Sequence, residues 1–121
     1  MKMPPPAYRP LTDWERRLLL RLLGLAFPGR DVLLEQLENV LALPIADDNG
    51  TLKLLCQCPT KALVKNRIPT EGLAPDSDGM TIHYMLHVID GKMCELEVYK
   101  DDSSQVVKHP APESVEVVVL G

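Results

Sequence analysis

The sequence predicts an α+β domain: an N-terminal αα-hairpin packed on one face of a curved, mostly antiparallel β-sheet. Three observations predict it. Residues 12–41 carry leucines at helical spacing, interrupted once by Pro28-Gly29. After Asn39 the apolar period falls from 3.6 to 2. Two pairs of alternating segments then centre on Asn49-Gly50 and Asp90-Gly91, dipeptides that hairpin turns favour because both tolerate a positive φ.

With 121 residues, 45% of them hydrophobic and 25% charged, the chain has the size and composition of one folded domain. It divides into a Pro-rich N-terminal arm, residues 1–10, and a single α+β domain, residues 11–121. One Trp, one Phe and three Tyr leave the core to Leu and Val. A net charge of -4 and few rings for base stacking argue against nucleic acid, and the charge also argues against an anionic membrane surface. The start, Met-Lys-Met-Pro-Pro-Pro, lacks the apolar core of a signal peptide. No run approaches the roughly 20 apolar residues of a membrane span. The expectation is a soluble cytoplasmic protein in which Cys56, Cys58 and Cys94, an odd number without a scaffold pattern, stay reduced.

Thr12-Asp13-Trp14-Glu15 is a capping box and opens the first helix. Trp14, Leu18, Leu22 and Leu25 form its buried stripe, widened by Leu19, Leu23 and Ala26, while Leu20 falls among the charges. A second helix spans residues 30–39, with Leu33, Leu34 and Leu37 inward. The short connection makes the pair a hairpin. Leu41, Leu43 and Ile45 then alternate up to Asn49-Gly50, and Leu52, Leu54, Cys56 and Cys58 alternate after it. A two-residue turn sets Asp48 opposite Thr51, Ile45 opposite Leu54 and Leu43 opposite Cys56. Pro44 marks an edge or a bend. Residues 60–74 hold one strand broken by Pro69, residues 75–79 and 101–104 are loops, residues 109–112 are a stiff connector, and residues 115–120 are a last strand.

The central hairpin, residues 81–99, carries apolar residues at Ile82, Tyr84, Leu86 and Val88 before its turn and at Cys94, Leu96 and Val98 after it. A two-residue loop would throw these sets onto opposite faces. A three-residue loop with Gly91 left-handed in a bulge pairs Val88 with Lys92 and unites them. That reading sets His87 opposite Met93, Met85 opposite Glu95, His83 opposite Glu97 and Thr81 opposite Tyr99.

The chemistry these residues suggest is modest. His83 beside Glu97 has the form of a histidine oriented by a carboxylate, the pair general acid–base catalysis uses, although a cross-strand charge pair is the commoner meaning. Met85, His87, Glu95 and Tyr99 share that face as candidate binding residues. Cys56 and Cys58 are the weak metal candidates: one Cys-x-Cys without a second pair falls short of a zinc site, and the alternation turns both into the core. The acidic loops at residues 47–50, 76–79 and 101–102 lack the spacing of a calcium loop and are expected to be solvated turns. No phosphate-binding loop, dinucleotide fingerprint or other cofactor motif is present.

Three segments carry a resemblance. Arg9-Pro10-Leu11-Thr12 with Glu15 and the leucine helix, running on to Phe27-Pro28-Gly29-Arg30-Asp31, is the first. Cys56-Gln57-Cys58-Pro59-Thr60 is the second. Leu86-His87-Val88 through Asp90-Gly91 to Leu96-Glu97-Val98-Tyr99 is the third. Together they resemble a family of small, functionally uncharacterised bacterial proteins built on a domain of unknown function. Some members carry a further cysteine and glycine in the middle segment, where this chain has Leu54-Leu55. The resemblance implies no catalytic residue. The functional expectation is therefore a non-enzymatic module that binds a protein partner, of the immunity or accessory kind. The alternative is a small enzyme or ligand-binding domain using His83 and Glu97 on the open sheet face. Monomer and homodimer both stay open.

Overall fold

Helix α1, Asp13–Leu22, begins where the capping box places it. The Glu15 amide donates to the Thr12 hydroxyl at 3.2 Å and the Thr12 amide to the Glu15 carboxylate at 2.9 Å. In this computed structural model, which describes residues 7–45 and 49–121, Leu18, Leu19, Leu22 and Leu23 are fully buried. Leu25 and Ala26, expected to extend the stripe, are exposed, because α1 ends at Leu22 and the helical spacing no longer governs where they point. Helix α2, Arg30–Leu37, buries Leu33 and Leu37 on the same core.

Seven strands form one antiparallel sheet: β1 Arg9–Pro10, β2 Val40–Pro44, β3 Leu52–Cys56, β4 Thr70–Pro75, β5 Thr81–Ile89, β6 Lys92–Lys100 and β7 Glu116–Val119. Their order is β1-β2-β3-β6-β5-β4-β7. The hairpins β2–β3 and β5–β6 stand side by side at the centre, as neighbours through β3 and β6. Both helices pack on one face of this sheet, so the α+β architecture expected from the sequence is the one formed. Among the described residues no helix is long and apolar enough to cross a membrane.

Two registers differ from expectation. In β2–β3, Ala42 faces Leu54 and Leu43 faces Lys53, rather than Ile45 facing Leu54 and Leu43 facing Cys56. Val40 and Ala42 therefore enter the core, while Leu41, Leu43 and Ile45 lie half-buried on the other face. The Ile45 amide bonds to the Thr51 carbonyl, a wider closure than a two-residue turn allows. Asp48, expected opposite Thr51, lies outside the described residues. The segment before Pro69 forms no strand, and β4 starts directly after it. Pro44 sits beyond the reach of β1, which pairs only with Leu41 and Ala42.

The central hairpin corrects the other expectation. Ile89 stands opposite Lys92, so the loop has two residues, and Asp90 (φ 57°) and Gly91 (φ 77°) both adopt the positive φ of a type I′ turn. The extra residue sits further along: Val88 pairs with Met93 but His87 pairs with Glu95, leaving Cys94 as the bulge. The bulge restores the alignment that the turn alone would destroy. Met93, Leu96 and Val98 join Ile82, Tyr84, Leu86 and Val88 in the core, and Cys94 leaves it.

Buried polar groups tie the layers together. Gln36 on α2 donates to the carbonyls of Thr60 (2.9 Å) and Gly91 (2.8 Å) and accepts from the Met93 amide (3.2 Å). The Thr70 hydroxyl donates to the Leu22 carbonyl at the end of α1. Residues 110–115 strap α1 from outside through Trp14 Nε1 to the Pro110 carbonyl, Arg17 to Glu113, and Arg21 Nε to the Val115 carbonyl.

Candidate functional site

The sheet face away from the helices gathers the polar side chains that the alternation of β4, β5 and β6 sends outward. Thr81, His83, Met85 and His87 project from β5, Glu95, Glu97 and Tyr99 from β6, and Glu71 and Leu73 from β4. The members expected there are there except Met93, which the bulge after the turn sends into the core beside Val88. Their partners are shifted by two residues along β6, because the bulge follows the turn: His87 stands opposite Glu95, Met85 opposite Glu97 and His83 opposite Tyr99.

The His83–Glu97 pair is therefore not formed. His83 instead lies between Glu71, 2.7 Å from Nδ1, and Asp101 at Nε2, with the Tyr99 ring stacked on it at 4.6 Å and 4°. Carboxylates can only accept, so both ring nitrogens are donors and the ring is an imidazolium. Burial opposes that charge, but the bonds to Glu71 and Asp101 outweigh it and raise the His83 pKa. The Tyr99 hydroxyl is also pushed up, by burial and by Glu71, Glu97 and Asp101 around it.

Glu97 serves His87, accepting from Nε2 at 2.8 Å. On the other side of the ring Arg67 Nε donates to Nδ1 at 3.0 Å. A guanidinium cannot accept, which assigns the tautomer: Nδ1 carries the lone pair and Nε2 the proton. His87, Glu95 and Glu97 bring one donor atom each within 4.8 Å of one another, the one group of three among the described residues arranged to hold a metal ion.

Cys56 and Cys58 lack such company. The Cys56 thiol, half-buried, donates to the Cys58 carbonyl at 3.6 Å, and burial raises its pKa. Burial likewise holds the Cys94 thiol up. Neither is an activated thiolate. All three cysteines are free.

A shallow groove of about 410 Å³ opens beside His83, lined by Leu73, Pro75, Thr81, Asp101 and Glu116 among others.

One polar centre was not foreseen. Asp76, expected in a solvated turn, is buried with the fully enclosed Lys100 ammonium 2.9 Å away. It also accepts from the amides of Ser77, Val107 and Lys108. Burial works against its charge, yet these bonds hold its carboxyl far below the usual range. The lysine at an inward position of β6 was the one available signal. Tyr84, also inward, bonds through its hydroxyl to His109 Nδ1 at 2.8 Å, beneath Trp14.

Neither a curated protein nor a solved structure matches this chain. Over residues 8–110 it matches the family described as Domain of unknown function (DUF6984), and it belongs to that family.

Proposed function

We propose that this family member is a protein-binding module, and that the helix-free face of its sheet receives the partner. The carrying observation is that all four ring nitrogens of His83 and His87 are already hydrogen-bonded within the fold. Acid–base catalysis needs a ring nitrogen within reach of a substrate proton. His83 is held between two acids with its pKa raised, and no lowered-pKa thiol stands beside either ring.

The same face has the composition of a recognition surface. Tyr99 is 37% exposed and Met85 half-buried, beside Leu73 on the neighbouring strand. Leu41, Leu43 and Leu55 add partly exposed apolar surface on the β2–β3 half. Glu71, Glu95, Glu97, Asp101 and Glu116 outnumber Lys53, Arg67 and the charged His83, which favours a partner presenting basic side chains around an apolar centre. Three unpaired thiols favour the cytoplasm as the place of work. An immunity or accessory role, in which a small acidic protein covers a basic partner, fits this description.

The test compares affinity capture from the source cells using the wild type and the double variant Met85→Arg, Tyr99→Arg. The reading expects a partner retained by the wild type, lost by the variant and released by rising salt. A partner held equally by both, or footprinted onto the helices, would end it.

A further inference from the structure

We propose that His87, Glu95 and Glu97 form a binding site for a divalent transition ion of the zinc or manganese class, with Arg67 as its competitor. The proposal does not depend on the protein-binding reading. It begins with the bulge. Without the extra residue at Cys94, the type I′ turn would put Cys94 opposite His87 and turn Glu95 and Glu97 to the other face. With it, Glu95 lies directly across from His87, and Glu97 two pairs further on shares the same face. Bulges re-aim side chains in this way beside functional sites.

The donor atoms lie within 4.8 Å of one another, and His87 Nε2 and Glu97 are already 2.8 Å apart. Three donors around one ion at about 2.1 Å stand roughly 3 to 3.5 Å apart, so side-chain rotation alone closes the site. One imidazole and two carboxylates give a neutral complex with a divalent ion and leave coordination positions open. Glu95 has a further distinction. Among the described residues no hydrogen bond or ion pair engages its carboxylate, whereas Glu97 is committed to His87. A structural histidine–glutamate bond accounts for Glu97, whereas Glu95 stands across from Lys53 on β3 with no ion pair between them among the described contacts, so its carboxylate is free to turn toward His87.

The His87 ring must change tautomer to take the ion. Nε2 gives its proton to solvent and offers its lone pair, while Nδ1 takes a proton from solvent. The Arg67 Nε–H then faces an N–H rather than a lone pair, and that hydrogen bond is lost. Arg67 is exposed and free to turn into water. A histidine ligand ordinarily gives its second N–H to an acceptor, so here the second partner opposes the ion. The prediction is unusual: deleting Arg67 strengthens metal binding.

Zinc chloride and manganese chloride are titrated separately into chelator-stripped protein, by calorimetry for zinc and by paramagnetic broadening of backbone resonances for manganese. Wild type is expected to take one equivalent, with manganese broadening centred on residues 87 and 95–97. Glu95→Gln and Glu97→Gln should each weaken binding about tenfold or more, and Arg67→Ala should tighten it about threefold or more. Unchanged affinity in both Gln variants, weaker binding in Arg67→Ala, or zinc affinity that instead follows Cys56→Ser overturns the site. Since Arg67 is a surface residue, its variant reports on the site even if a Gln variant folds poorly.

Discussion

Replacing Gln36 by Met tests whether one buried amide fastens α2 to the central hairpin. The side chains are close in length and volume, so the substitution leaves little cavity and isolates the hydrogen bonds. Three are lost: those to the carbonyls of Thr60 and Gly91, and the one from the Met93 amide. The Gly91 carbonyl keeps its bond from the Ala62 amide at 2.7 Å, so its loss is cushioned. The Thr60 carbonyl loses its Gln36 partner. The buried Met93 amide loses its acceptor, at about 1–3 kcal/mol, and the remaining bonds contribute about 1 kcal/mol each. The sum is about 3–5 kcal/mol. Urea unfolding should show that loss at unchanged slope, and the melting temperature should fall by roughly 10–20 °C. Hydrogen exchange at Met93 should accelerate beyond the global change. A loss below about 1 kcal/mol would refute the idea that this amide couples helix to turn.

Three further outcomes follow from the same geometry. Gly91→Ala should destabilise by about 2 kcal/mol, because a side chain at φ 77° is strained and its Cβ would stand 2.6 Å from Lys61 Cβ; melting curves measure it. The raised His83 pKa means its contribution is complete below the unfolded value near 6.5 and disappears as pH rises through the higher folded value; urea midpoints from about pH 5.5 to 9 should fall more steeply for wild type than for His83→Gln. The depressed Asp76 pKa works in the opposite direction: its contribution is complete above the unfolded value near 3.9 and is lost as pH falls toward the folded one, so Asp76→Asn should flatten the acid limb of the stability curve.

The legible parts of the sequence were those where local chemistry decides. The Thr12–Glu15 box fixes the start of α1 whatever else the chain does, and Asp90-Gly91 marks the central turn. The faces of β5 and β6 followed from apolar alternation, since a wrong face would expose Leu96 and Val98. The cross-strand partners did not follow. Two arrangements satisfy the same alternation, a bulge in the turn or a bulge after it, and only the φ of Asp90 separates them. That choice moves every partner by two positions and exchanges Met93 and Cys94 between core and bulge, so the other outward residues were foreseen while their bonds were not. In β2 the apolar row Leu41, Leu43, Ile45 looked inward, but Val40 and Ala42 fill the space beneath the helices, where small side chains fit. Asp76 and Lys100 are far apart in sequence, and no local signal joins them.

The strap over α1 bears on how the protein is made. Trp14, Arg17 and Arg21 find partners more than ninety positions later, at residues 110–115. A ribosome will have released the leucine-rich helices long before these partners exist. Strand β7, which closes the sheet beside β4, emerges later still. The early helices must wait with their apolar sides uncovered, the condition in which nascent chains recruit chaperones. Completion of this fold thus waits for residues 110–119, and its speed is set by the slow meeting of distant segments.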